Sequence, residues 1–132
     1  MEKCLLCQPF GLEDQEIVFE NKTCLYIQSP QNQTILEGSG LIIPKAHRPS
    51  VFDLTQEEWN DTYSLLAFAN AYLDRTLKPD GYNIGWNSGE IGGQHILHAH
   101  LHVIPRFSDE PYAGRGIRSW LKSPFNKRPQ NV

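Results

Sequence analysis

"TQEEWNDTYSLLAFANAYLDRTLKPDGYNIGWN", residues 55–87, decides the fold, because it holds one long helix, its stop signal and a strand in succession. Thr55 and Glu58 have the spacing of a capping box, in which each side chain satisfies a backbone donor that the first helical turn leaves open. Behind them Trp59, Tyr63, Leu66, Ala69, Leu73 and Leu77 recur every three or four residues, which predicts a helix from Thr55 to about Leu77 with that face turned inward. Pro79 cannot continue a helix and Gly81 tolerates a turn, so "KPDG" ends it. "GYNIGWN" (81–87) then changes to the β-branched and aromatic composition of a strand.

Working outward, "EIVFE" (16–20), "TCLYIQ" (23–28), "GLIIP" (40–44) and "ILHAHLHVIP" (96–105) read as further strands between polar turns. Strands joined this way pair as antiparallel neighbours, and a single long helix laid across one face makes an α+β fold. The chain has 132 residues, one domain's worth, and needs no disulfides to bury a core. No apolar run approaches the ~20 residues that span a bilayer, and the N-terminus lacks the pattern of an export signal, so a cytoplasmic protein with reduced thiols is expected. All fifteen acids precede residue 111, whereas Arg115, Arg118, Lys122, Lys127 and Arg128 follow it. Residues 1–110 are therefore expected to form the domain, and 111–132 a basic tail packed on it or on a dimer partner. The sign of that tail suits phosphate, nucleic acid or the chain's own acidic surface.

"HILHAHLHVIPR" (95–106) holds four of the five histidines. On a regular strand His98, His100 and His102 would share one face, with Ala99, Leu101 and Val103 on the other. Alternation of this kind supplies either a three-histidine zinc site or a nucleophile with supporting imidazoles, and spacing alone does not separate the two.

The flanks bring in a resemblance. "GGQHILHAHLHVIPR" (92–106) matches the histidine triad pattern, His-x-His-x-His preceded by Gly-Gln, and "LIIPKAH" (41–47) matches the upstream strand end of the same histidine triad (HIT) family. The resemblance covers roughly residues 4–107. It implies a HIT-like fold, an antiparallel sheet of about five strands with one long helix and room for a short second one. It also implies a homodimer formed through the helix and a sheet edge. The family consists of nucleotide hydrolases and transferases.

By that resemblance His100 would attack the α-phosphorus of a nucleotide conjugate and carry the nucleotidyl group covalently. His102 would hold the phosphate, and Asn87 and Gln94 would orient phosphate or nucleophile. His95 stands where many relatives carry Ser or Thr, and an imidazole there suits a general acid. Many relatives also place an acid after the strand that matches "TCLYI" to grip ribose; this chain has Gln28 and Ser29. The "IPR" ending with Arg106 points to dinucleoside polyphosphates over phosphoramidates, with Arg106 near phosphate. The substrate implied is a small nucleotide conjugate, and no nucleic-acid partner is expected. Trp120 and Phe125 in the tail would reach over the site.

"CLLC" is half of a tetrahedral zinc site. In zinc-binding branches of the family such a pair joins the histidine of the "PKxH" segment and the first triad histidine, which implies a structural zinc ion on Cys4, Cys7, His47 and His98. Cys24, within an apolar strand, reads as core. Two alternatives stand beside the nucleotidyl hydrolase: a metallohydrolase with zinc on His98, His100 and His102, and a nucleotide-binding scaffold with little turnover.

Overall fold

A computed structural model describes residues 4–8, 12 and 14–129, so both ends of the expected domain and tail lie partly outside the described residues. Five strands, β1 (Glu16–Glu20), β2 (Cys24–Gln28), β3 (Gly40–Pro44), β4 (Gly81–Trp86) and β5 (Leu101–Arg106), form one sheet in the order β1-β2-β3-β5-β4. Every neighbouring pair is antiparallel. One long helix, α1 (Gln56–Thr76), connects β3 to β4. Among the described residues only single turns of 3-10 helix accompany it, at Asn32–Thr34, Val51–Asp53 and Pro124–Asn126. None of the described helices is long and apolar enough to cross a membrane.

The central strands are apolar on both faces because both faces are covered. Cys24 and Tyr26 of β2, Ile42 of β3 and Leu101 and Val103 of β5 pack against Leu65, Ala69 and Leu73 of α1. On the opposite face Leu25, Ile27 and Ile43 pack with Leu6, so the N-terminal segment acts as a second cover. Removing such side chains from water supplies the main driving force for this arrangement. Gly38, at φ +81°, passes beneath the end of α1, where a Cβ would come within 2.6 Å of Leu77 Cδ1.

The capping box forms: Thr55 Oγ1 accepts from the Glu58 N–H at 3.1 Å, and Glu58 Oε1 accepts from the Thr55 N–H at 2.8 Å. At the other end Lys78 takes φ +51°, which makes the reversal fall one residue before Pro79. The buried face of α1 differs from the periodicity reading. Glu58, Thr62, Leu65, Ala69 and Leu73 are buried, while Trp59 is 49% and Tyr63 70% exposed. Polar side chains occupy the inner positions because they are satisfied there. Thr62 Oγ1 donates to the Glu58 carbonyl at 2.7 Å, and Glu58 pairs with Arg48 Nε at 2.9 Å.

The histidine strand also departs from expectation. β5 begins at Leu101, whereas residues 96–98 form a bend and 99–100 lie outside the ladder. The His98 N–H turns back to the Ile96 carbonyl at 2.8 Å, and the Ala99 N–H is held by the Arg48 carbonyl at 2.7 Å. His98 and His100 therefore do not alternate on a regular ladder.

Candidate functional site

The bend before β5 separates the histidines into two places. His98 is fully buried, and its Nε2 lies 2.8 Å from the Pro44 carbonyl at the end of β3. A carbonyl only accepts, so Nε2 carries the proton and the lone pair lies on Nδ1. That nitrogen is 3.5 Å from Cys4 Sγ and 3.4 Å from Cys7 Sγ, and Cys7 Sγ is 3.3 Å from His47 Nδ1. The ligand atoms of Cys4, Cys7, His47 and His98 all lie within 4.8 Å of one another.

These residues fit a zinc ion. Zn–S and Zn–N bonds of about 2.3 and 2.0 Å meeting at a tetrahedral angle put sulfur and nitrogen about 3.5 Å apart, which is the spacing seen. The His98 Nε2–H bonded to a carbonyl is the support that metal-ligating histidines use to fix their tautomer. Burial, and then the neighbouring Cys4, push the Cys7 thiol up to about 11, so it stays protonated unless a cation replaces the proton. His98, His100 and His102 do not converge on a common point, which counts against the three-histidine metal site.

His100 uses the main chain that His98 provides. Its Nδ1 lies 2.8 Å from the His98 carbonyl, so Nδ1 is protonated and Nε2 keeps its lone pair. The His102 ring stands beside it, with centroids 5.0 Å apart. His102 Nε2 is buried with no hydrogen-bond partner among the described residues. Burial first, and then the nearness of His100, hold His102 below the usual histidine range and keep it neutral at pH 7.

Both rings face a cavity of about 750 Å³ on the side of the sheet away from α1. Of the residues singled out from sequence, His95, His100, His102, Asn87 and Ser29 line it. Ser39 and Asn32 add polar groups to the lining, whereas Ile27, Leu41 and Ile96 supply apolar wall.

Three other residues singled out from sequence, Gln28, Gln94 and Arg106, bond the protein's own chain. The Gln28 Nε2 donates to the Gly38 carbonyl at 3.2 Å, tying down the loop between β2 and β3. Gln94, only 3% exposed, donates to the Pro49 and Ile96 carbonyls at 2.6 and 2.9 Å and accepts from the Gly89 N–H at 3.0 Å. It therefore shapes the turn and bend, and none of its polar atoms is spare. Arg106 is spent on Glu110, Asn83 and two carbonyls of the following chain. Phe125 is fully exposed and away from the cavity, whereas Trp120 lines it.

Sequence reasoning missed Asn32, which the long β2–β3 connection brings to the cavity, and the Arg48 carbonyl that holds Ala99. A main-chain acceptor leaves no trace in side-chain identity. Asn32 sits in a segment whose turn residues gave no sign of its direction.

Comparisons with known proteins bear on the family and the fold. A sequence profile describing the HIT domain matches residues 12–109. An uncharacterized HIT-like protein of Mycoplasma genitalium is 40% identical over 99 residues, covering 74% of this chain and 70% of its own length. An adenosine 5'-monophosphoramidase of Schizosaccharomyces pombe is 32% identical over 88 residues, 67% of this chain and 63% of that protein, so the match spans less than two thirds of it. The crystal structure of a HIT family member from Bacillus subtilis superposes with a TM-score of 0.72 at 27% identity, covering 82% of this chain and 76% of that one.

Proposed function

The chain belongs to the HIT domain family, and on that footing we propose that it is a nucleotidyl hydrolase or transferase that cleaves nucleoside conjugates at the α-phosphate through His100. The observation that carries the reading is the Nδ1–H of His100 donated to the His98 carbonyl, which leaves Nε2 free as a nucleophile facing the cavity. The substrates that fit are dinucleoside polyphosphates or nucleoside phosphoramidates. The second class has the support of the phosphoramidase relative, and the cavity volume has room for more than a mononucleotide.

In the first step a bond forms from His100 Nε2 to phosphorus, and the bond from phosphorus to the leaving oxygen or nitrogen breaks with its electron pair going to the leaving group. The ring keeps its Nδ1 proton, and the positive charge that develops faces the His98 carbonyl oxygen. In the second step a water oxygen bonds to phosphorus, its proton is lost to solvent, and the nitrogen–phosphorus bond returns its pair to Nε2. Transfer to another acceptor follows when that acceptor replaces water. His102 Nε2, buried and without a partner among the described residues, suits a phosphate oxygen. His95, Asn87 and Ser29 line the same cavity, where His95 would donate a proton to the leaving group and Asn87 and Ser29 would meet phosphate and sugar hydroxyls. Positioning in this way converts an encounter into an effectively unimolecular attack.

Cys4, Cys7, His47 and His98 would hold a structural zinc ion. A closed set of four protein donors leaves no open position, so what the ion supplies is a crosslink between the N-terminal segment, the loop after β3 and the bend before β5. A homodimer is proposed through α1 and β4. β4 is an edge strand, and Trp59 stacks on Trp86 beside the exposed Tyr63, an apolar face of the kind a second copy covers.

The test is to incubate the protein with an adenosine conjugate labelled at the α-phosphate and to map acid-labile, base-stable label. Label on His100, absent from His100→Ala, supports the reading. Absence of label and of turnover with nucleotide still bound would replace the enzyme with a binding module.

A further inference from the structure

The chain beyond β5 is not loose. Four of the five N–H groups of the Arg106 guanidinium donate hydrogen bonds, and the fork is ion-paired with Glu110. Nε donates to Glu110 Oε1 at 2.7 Å, and Nη1 donates to Asn83 Oδ1 on β4 and to the Arg115 carbonyl. Nη2 reaches Glu110 Oε1 at 2.5 Å and the Tyr112 carbonyl at 2.8 Å. Glu110 in turn accepts from the Phe107 N–H at 3.0 Å. Two of these acceptors are main-chain carbonyls of the tail, so the fork holds its path whatever side chains stand there.

A second, separate contact seats the same segment. Ile117 lies over Gly85, where a Cβ would come within 3.2 Å of Ile117 Cδ1, and Gly85 is the β4 partner of His102. The contact is tight enough that a Cβ at position 85 would require Ile117 to shift, so the glycine lets the strap lie close to the histidines. Three residues on, Trp120 and Leu121 line the cavity that His100 faces, and Trp120 remains 76% exposed. A large flat ring, mostly uncovered and turned to a ligand cavity, is a platform for another flat group.

We infer that Arg106 is a positioning residue that holds segment 107–121 across β4, so that Trp120 forms the wall against which the leaving group of the conjugate packs, selecting leaving groups that bear a planar base. The inference rests on the nucleotide reading and deepens it. It also places Arg106, expected at phosphate, in a different role.

Equilibrium binding of two ligands that share an adenylate tests it: adenosine monophosphate, and a diadenosine polyphosphate with methylene bridges that resist cleavage. Trp120→Ala lowers the preference for the dinucleotide by roughly fivefold or more, the size of one lost stacking contact. Arg106→Gln lowers it by the same factor, the double variant lowers it no further, and Arg106→Lys does not restore it because an ammonium cannot span the same acceptors. Hydrogen exchange in residues 112–121 rises in Arg106→Gln while β4 and β5 keep their protection. An unaltered preference in either single variant, additive losses in the double variant, or rescue by lysine overturns the inference while the nucleotide reading stands. Failure of adenosine monophosphate to bind the unaltered chain overturns both.

Discussion

At the scale of the residue, the site depends on which imidazole nitrogen holds a proton. The His98 carbonyl assigns it for His100 and the Pro44 carbonyl for His98. His100→Ala is expected to abolish covalent label and to lower turnover at least about a thousandfold, with nucleotide affinity retained, as measured by single-turnover kinetics and calorimetry. His102 gives a pH signature. Its folded value is depressed, so its contribution to stability is full above the unfolded value of about 6.5 and is lost as pH falls below that, when the unfolded chain takes up the proton first. Thermal melts at pH 7.5 and 5.5 should show a smaller acid loss in His102→Asn than in the parent, and equal losses would contradict the assignment. The chemistry-bearing residue types of this region stood out in the sequence, and His95, His100, His102, Asn87 and Ser29 all line one cavity. Gln94 and Arg106 did not reveal their direction, because a side chain that bonds the main chain of a distant loop carries no periodic mark.

At the scale of the element, α1 shows what patterning can and cannot supply. Its ends were legible from Thr55, Glu58 and Pro79, since capping chemistry is local. Thr55→Ala should cost about 1 kcal/mol in denaturant unfolding, through loss of one side of the capping box. The inward face was read about one position off in the first half of the helix. Hydrophobicity favoured Trp59 and Tyr63, but the sheet receives Glu58 and Thr62, whose polar atoms are satisfied by Arg48 and by the helix's own carbonyl. The same limit explains the late start of β5. Alternating histidines look like strand from residue 96, yet the Arg48 carbonyl captures Ala99 and the pairing begins only at Leu101.

At the scale of the whole molecule, two assemblies can be measured. Sedimentation should give a dimer, and Trp59→Asp with Tyr63→Asp together should give a folded monomer, since both side chains are exposed on α1 and are not needed in the core. Treatment with a strong zinc chelator should lower the melting temperature by several degrees. Cys4→Ser should start from the lower value and show no further loss on chelation, whereas an equal response in both would remove the zinc proposal. The strands and the single helix followed from local patterns, but the strand order, which sets β5 between β3 and β4, and the gathering of residues 4, 7, 47 and 98, where the N-terminal cover meets the end of β3, are determined only by the fold. One residue belongs to both halves of this design: His98 turns its ring toward the cysteines and lends its carbonyl to His100. A carbonyl cannot be mutated away. Any substitution at position 98 leaves the acceptor in the chain and alters only where it stands, so the catalytic defect of a series of position 98 variants becomes a ruler for how far the peptide plane has swung.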